Sequence, residues 1–100
     1  MNNPNLKLPL REIGLLCRRY QVRELALFGS ALGKNFGPES DIDLLVEFEK
    51  DAPIGFLEFA ELQNALSDLL HRKVDLVPKK GLKPLIRDEV LSRIQVIHAA

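Results

Sequence analysis

The segment Ile42-Asp43-Leu44-Leu45-Val46-Glu47-Phe48 limits the fold more than any other stretch of the chain. Side chains of a strand alternate between two faces, so Ile42, Leu44, Val46 and Phe48 share one side. Asp41, Asp43, Leu45 and Glu47 fall on the other. The first set needs apolar cover. The second places two carboxylates at the mouth of a strand that otherwise reads as buried, and a carboxylate in such a place needs a partner or a task.

The other elements follow from periodicity. Leu10, Ile13, Leu16, Cys17 and Tyr20 recur at helical spacing, with Arg11, Glu12, Arg18 and Arg19 opposite them and Pro9 suited to the first turn. Residues 25–28 form a short apolar strand closed by Gly29-Ser30, and residues 33–40 are rich in turn formers. Asp51 and Pro53 announce a helix. Its apolar positions Phe56, Phe59, Ala60, Leu66 and Leu70 oppose Glu58, Glu61, Asn64, Asp68 and His71. Residues 73–78 are a third strand stopped by proline, residues 84 to about 93 a last helix, and residues 94–97 a fourth strand at an edge. The order predicts an α+β domain: one mixed sheet of about four strands packed by helices. The first two strands are candidates for antiparallel neighbours. The helix between the second and third permits a parallel crossover.

With 100 residues, 46% of them apolar, the chain suits one domain spanning residues 1–100, of which 1–7 are expected to be flexible. Lys plus Arg and Asp plus Glu number 14 each, so no long-range field favours nucleic acid or an anionic membrane. Cys17 is the only cysteine, which excludes an internal disulfide or a cysteine zinc cage and suits a reducing compartment. No bilayer-spanning run or export leader is read in the chain, and a cytoplasmic location is expected.

Strand geometry puts the Asp41 and Asp43 positions roughly 6 to 7 Å apart along one face. Like charges so close repel unless a cation lies between them, and an oxygen-only donor set favours magnesium or manganese. Asp75, flanked by Val74, Leu76 and Val77, is the candidate third carboxylate if the second and third strands are neighbours. Gly29-Ser30 supplies the complementary half: glycine permits close approach to the backbone, and the free amides of the turn attract phosphate oxygens. Ser40 and Lys34 are further candidates for holding the nucleotide. Each feature also has a plain reading. Asp-x-Asp occurs by chance, Gly-Ser is usually a turn, and Asp75 is open to pairing with Arg72 or Lys73. His71 and His98 read as surface or helix-end residues, and Lys79-Lys80-Gly81-Leu82-Lys83 as a solvated loop. The conjunction is what points to metal-assisted phosphoryl or nucleotidyl transfer.

The ordered set Gly29-Ser30, ten residues, Asp41-Ile42-Asp43-Leu44-Leu45-Val46, a helix, then Val74-Asp75-Leu76-Val77 resembles the minimal nucleotidyltransferases of the polymerase-beta-like superfamily. The likeness covers nearly the whole chain. It implies that Gly29 and Ser30 hold nucleotide phosphates, that Asp41 and Asp43 bind Mg2+ or Mn2+, and that Asp75 is the third carboxylate, with ATP as co-substrate. It also implies an antitoxin paired with a HEPN-type toxin, onto whose hydroxyl AMP is transferred, in a homo- or hetero-oligomer. Ala31-Leu32 stand where many relatives carry an arginine, leaving Lys34 as the cation of the loop. An antitoxin that neutralises its partner by contact alone is the alternative. A small domain with a structural salt-bridge cluster is the third.

Overall fold

The computed structural model describes residues 8–29, 37 and 40–100. Within them the chain runs α1 (Leu10–Arg19), β1 (Val22–Phe28), β2 (Ile42–Phe48), α2 (Phe56–Leu70), β3 (Val74–Pro78), a 3-10 turn (Lys79–Gly81), α3 (Pro84–Leu91) and β4 (Gln95–Ala99). The expectations for residues 1–7, Ser30 and Lys34 lie outside the described residues.

The strands form one mixed sheet in the order β3-β2-β1-β4. β1 pairs antiparallel with both β2 and β4, while β2 and β3 are parallel and joined by α2 as the crossover. Period-two alternation gives this sheet one continuous apolar face under α1 and α2. Val22, Leu25, Leu27, Ile42, Leu44, Val46, Val74 and Leu76 meet Ile13 and Cys17 of α1 and Leu62, Leu66 and Leu70 of α2. Glu12 in the first turn of α1 and Arg18 and Arg19 in the last complement its dipole. Phe59 of α2 meets Phe48 edge to face at 6.3 Å, fixing the helix over the far end of β2.

α2 also closes the outer edge of β3. Ser67 Oγ accepts from the Val74 amide at 3.0 Å and Gln63 Oε1 from the Leu76 amide at 3.0 Å. Those two donors would otherwise point away from the ladder, and side-chain partners blunt the edge against foreign strands.

Several boundaries differ from the sequence reading. Pro9 caps α1 from outside instead of joining its first turn. β1 begins at Val22, because Val22 pairs with Phe48 and is buried although polar Arg23 and Glu24 follow it. Phe56 is 90% exposed, since α2 turns its first residue away from the sheet. α3 ends at Leu91 and buries nothing, leaving Leu85 96% exposed.

Candidate active site

The face of the sheet opposite α1 and α2 carries Asp43 and Asp75. Phe28 of β1 pairs with Asp43 of β2, and Asp43 pairs in turn with Asp75 of β3, so the three occupy one row across adjacent strands. Neighbouring strands lie about 4.8 Å apart, which brings the bases of the two aspartates side by side. Asp41 immediately precedes β2 and is exposed. The next row is apolar: Ala26, Leu45 and Val77 are aligned, and Leu45 is almost fully buried despite lying on the carboxylate side.

Gly29 closes β1 with φ of 69°, a left-handed conformation that L side chains rarely adopt. A Cβ placed there would collide with the Asp43 carboxylate. The turn and the carboxylate are therefore in direct apposition, so the missing side chain is a requirement of the site as well as of the backbone. This apposition is the part of the sequence expectation that could not be derived from spacing alone.

The start of β2 is held from the turn between α2 and β3. His71 ends α2 in the left-handed region, φ 55°. Arg72 Nη1 then donates to the carbonyls of Gly37 at 2.9 Å and Ser40 at 3.2 Å. Lys73 accepts from the Ile42 amide at 2.9 Å through its carbonyl. Its ammonium lies 4.0 Å from Asp41 Oδ2, both side chains being largely exposed, so the pair is weak in water. Ser40 Oγ accepts from the Gly37 amide at 2.9 Å and so closes the end of the loop.

These contacts correct the suggestion that Arg72 or Lys73 pairs with Asp75. Asp75 is exposed on the side of β3 opposite the core, and no charged side chain is buried among the described residues. A salt-bridge cluster built on Asp75 therefore has no basis among them. Nor do the described residues contain a ready-made cage of three His, Cys, Asp or Glu side chains. The chemistry of the donors nonetheless fits a hard divalent cation: Asp41 and Asp43 are alternate residues at one strand mouth, with Asp75 in register beside Asp43.

Two features escaped the sequence reading. Lys79 bridges Glu24 at 3.5 Å and Glu47 at 3.6 Å on the carboxylate side, a contact between β1, β2 and the turn after β3 that no local pattern announces. Beyond it, a cleft of about 610 Å3 is lined by Arg23, Phe48, Lys50, Ile54, Lys79 and Lys80. It lies at the opposite end of β2 from the aspartates.

A mixed sheet with α1 and α2 on one face, and on the other a glycine turn against an aspartate in register with a second, is an arrangement suited to nucleotidyl transfer. The chain belongs to the family described as the nucleotidyltransferase domain, which matches residues 13–97. It is 40% identical over 79 residues to the protein adenylyltransferase MntA of Thermococcus cleftensis, covering 79% of this chain and 78% of that one. Two more distant solved structures show the same fold. A toxin-antitoxin crystal structure with AMP-PNP superposes with a TM-score of 0.73 at 23% identity, covering 93% of this chain and 75% of its own. A tri-AMPylated Shewanella oneidensis HEPN toxin in complex with MNT antitoxin superposes with a TM-score of 0.64 at 22% identity, covering 91% and 70%.

Proposed function

We propose that this nucleotidyltransferase is a magnesium-dependent protein adenylyltransferase that moves AMP from ATP to a hydroxyl of a HEPN-type toxin, acting as its antitoxin. The observation that carries the reading is the apposition of Gly29 with the Asp43 carboxylate in one row with Asp75. The name of the Thermococcus relative supports adenylyl transfer to protein. The AMP-PNP and AMPylated-toxin complexes support the nucleotide and the partner.

The aspartates fit a divalent cation, which when bound would offset charge on the phosphates and on the attacking and leaving oxygens. In this reading Asp41 and Asp43 hold it. The segment that begins at Gly29 would offer backbone amides to the phosphates. Asp75, exposed beside Asp43, takes the proton from the acceptor hydroxyl as its oxygen attacks the α-phosphorus. The new P–O bond forms as the bond to the β-phosphate oxygen breaks, and pyrophosphate leaves. Lys73 sits close enough to Asp41 to moderate the site's charge before a cation binds.

The carboxylates lie on an open face and not in the cleft, which fits a macromolecular acceptor that completes the site on docking. Reaction with ATP in a reducing compartment fits the single free cysteine, and a cytoplasmic role is part of the proposal. Among the described residues no helix is long and apolar enough to cross a membrane.

One observation favours the contact-only alternative: α3 buries nothing and presents Leu85 and Ile86 to solvent, as a docking helix would. Labelling separates the two. With partner and Mg2+, ATP labelled at the α-phosphate leaves label on the partner and ATP labelled at the γ-phosphate leaves none. Asp41→Ala with Asp43→Ala abolishes the first signal. If this folded double variant still neutralises the toxin as well as the parent does, contact is the function.

A further inference from the structure

We propose that Arg72 is a positioning residue for the transfer site, holding the loop before β2 so that Asp41 and Asp43 are presented in a fixed geometry. The inference rests on the nucleotidyl-transfer reading and names a residue which that reading does not use. Asp41 lies between two anchored neighbours. On one side Arg72 Nη1 reaches the carbonyls of Ser40 and Gly37. On the other, the Ile42 amide is bound to the carbonyl of Lys73, the next residue of the same turn. The turn is itself fastened to the core helix: the Arg72 amide donates to the Ser67 carbonyl at 3.2 Å, and the Val74 amide to Ser67 Oγ at 3.0 Å. Position is thus relayed from α2, through residues 71–73, to the backbone on either side of Asp41.

Arginine suits the task. A guanidinium has several donors in a rigid plane and remains charged, so it can serve two carbonyls at once, and its half-buried setting strengthens both bonds. Lysine would keep the charge but presents a single flexible head.

The test compares the parent with Arg72→Ala and Arg72→Lys, using Mg2+ with AMP-PNP as the probe, well below each melting temperature. Titration calorimetry reads affinity and amide exchange reads local opening. For Arg72→Ala the inference expects at least tenfold weaker binding and at least tenfold faster exchange at the Ser40 and Ile42 amides. Leu66 in the core keeps its protection, and Arg72→Lys recovers part of both losses. Parent-like affinity in folded Arg72→Ala overturns the inference. So does an affinity loss in which Leu66 exchange rises as much as Ser40, because that is a global stability effect. If Arg72→Ala does not fold, Arg72→Lys decides by the same two measurements. If the parent itself does not bind Mg2+ with AMP-PNP, the transfer reading fails. Exchange at Ser40 and Ile42 still reports whether the clamp exists.

Discussion

The two sides of β2 obey different rules within seven residues. Ile42 and Leu44 are fully buried and Val46 is 1% exposed, enclosed by α1 and α2. Asp43 and Glu47, alternating with them, are only half-buried and face the other side of the sheet. The helix-covered side is fixed by packing, where any change of volume is felt. The other side sets Asp43 in one row with Asp75 and bridges Glu47 to Lys79, at positions that keep access to water. A truncation should therefore cost stability on one side and chemistry on the other.

The largest expected effects test that division directly. Leu44→Ala should lose about 2–5 kcal/mol, read as a lower midpoint in chemical denaturation, because its site is closed on all sides. Asp41→Ala with Asp43→Ala should leave the midpoint within about 1 kcal/mol of the parent, since both positions have access to water, yet remove α-phosphate labelling of the partner. Comparable stability losses in the two variants would break the comparison. Asp43→Asn sharpens it. Relief of carboxylate repulsion should hold or raise the melting temperature without Mg2+, and abolish the added stability that Mg2+ plus ATP gives the parent.

Gly29 is where the two sides meet. A side chain there would need a left-handed backbone, costing about 1–2 kcal/mol, and would displace the Asp43 carboxylate. Gly29→Ala should accordingly lower both the denaturation midpoint and the affinity for Mg2+ with AMP-PNP. Loss of stability with unchanged nucleotide affinity would make Gly29 a backbone requirement only. Smaller changes belong to the outer edge of β3. Ser67→Ala and Gln63→Ala each leave an amide without its side-chain partner and should cost about 1 kcal/mol by the same measurement.

The fold was legible in the sequence to the extent that periodicity records burial. Alternation in β2 and helical spacing in α1 identified both elements, and the residues between β2 and β3 announced the crossover helix. The start of β1 was not legible, because Arg23 and Glu24 break the apolar pattern and only pairing with β2 extends the strand. Phe56 was misplaced because amphipathic spacing cannot say where along a helix contact with the sheet begins. At the candidate site, the neighbouring strands that align Asp43 with Asp75 were readable as a pattern, whereas the contacts that hold the start of β2 were not. Arg72 lies 32 and 35 residues from the carbonyls it holds, a pairing that only the assembled sheet defines. The plain alternative, Asp75 paired with Arg72 or Lys73, fails because both residues are turned to the start of β2.

The smallest effect makes Cys17 a probe of the comparison. Its thiol is fully buried in the core, and burial pushes its pKa up to about 11. At pH 8 the buried thiol is protonated and shielded from reagent, so labelling by a thiol reagent should be slow in the native protein and fast in denaturant. The folded pKa lies above the ordinary value of 9.0, so the associated stability is complete below pH 9 and is lost as pH rises through about 11. Labelling at pH 8 then reports opening of the covered side. Leu44→Ala should raise the labelling rate at least tenfold, since it weakens the layer that encloses Cys17. The Asp41→Ala, Asp43→Ala pair should leave the rate within about twofold of the parent, because neither carboxylate touches that layer. A rate that rises as much for the aspartate pair as for Leu44→Ala would show that the acidic side also keeps the core closed.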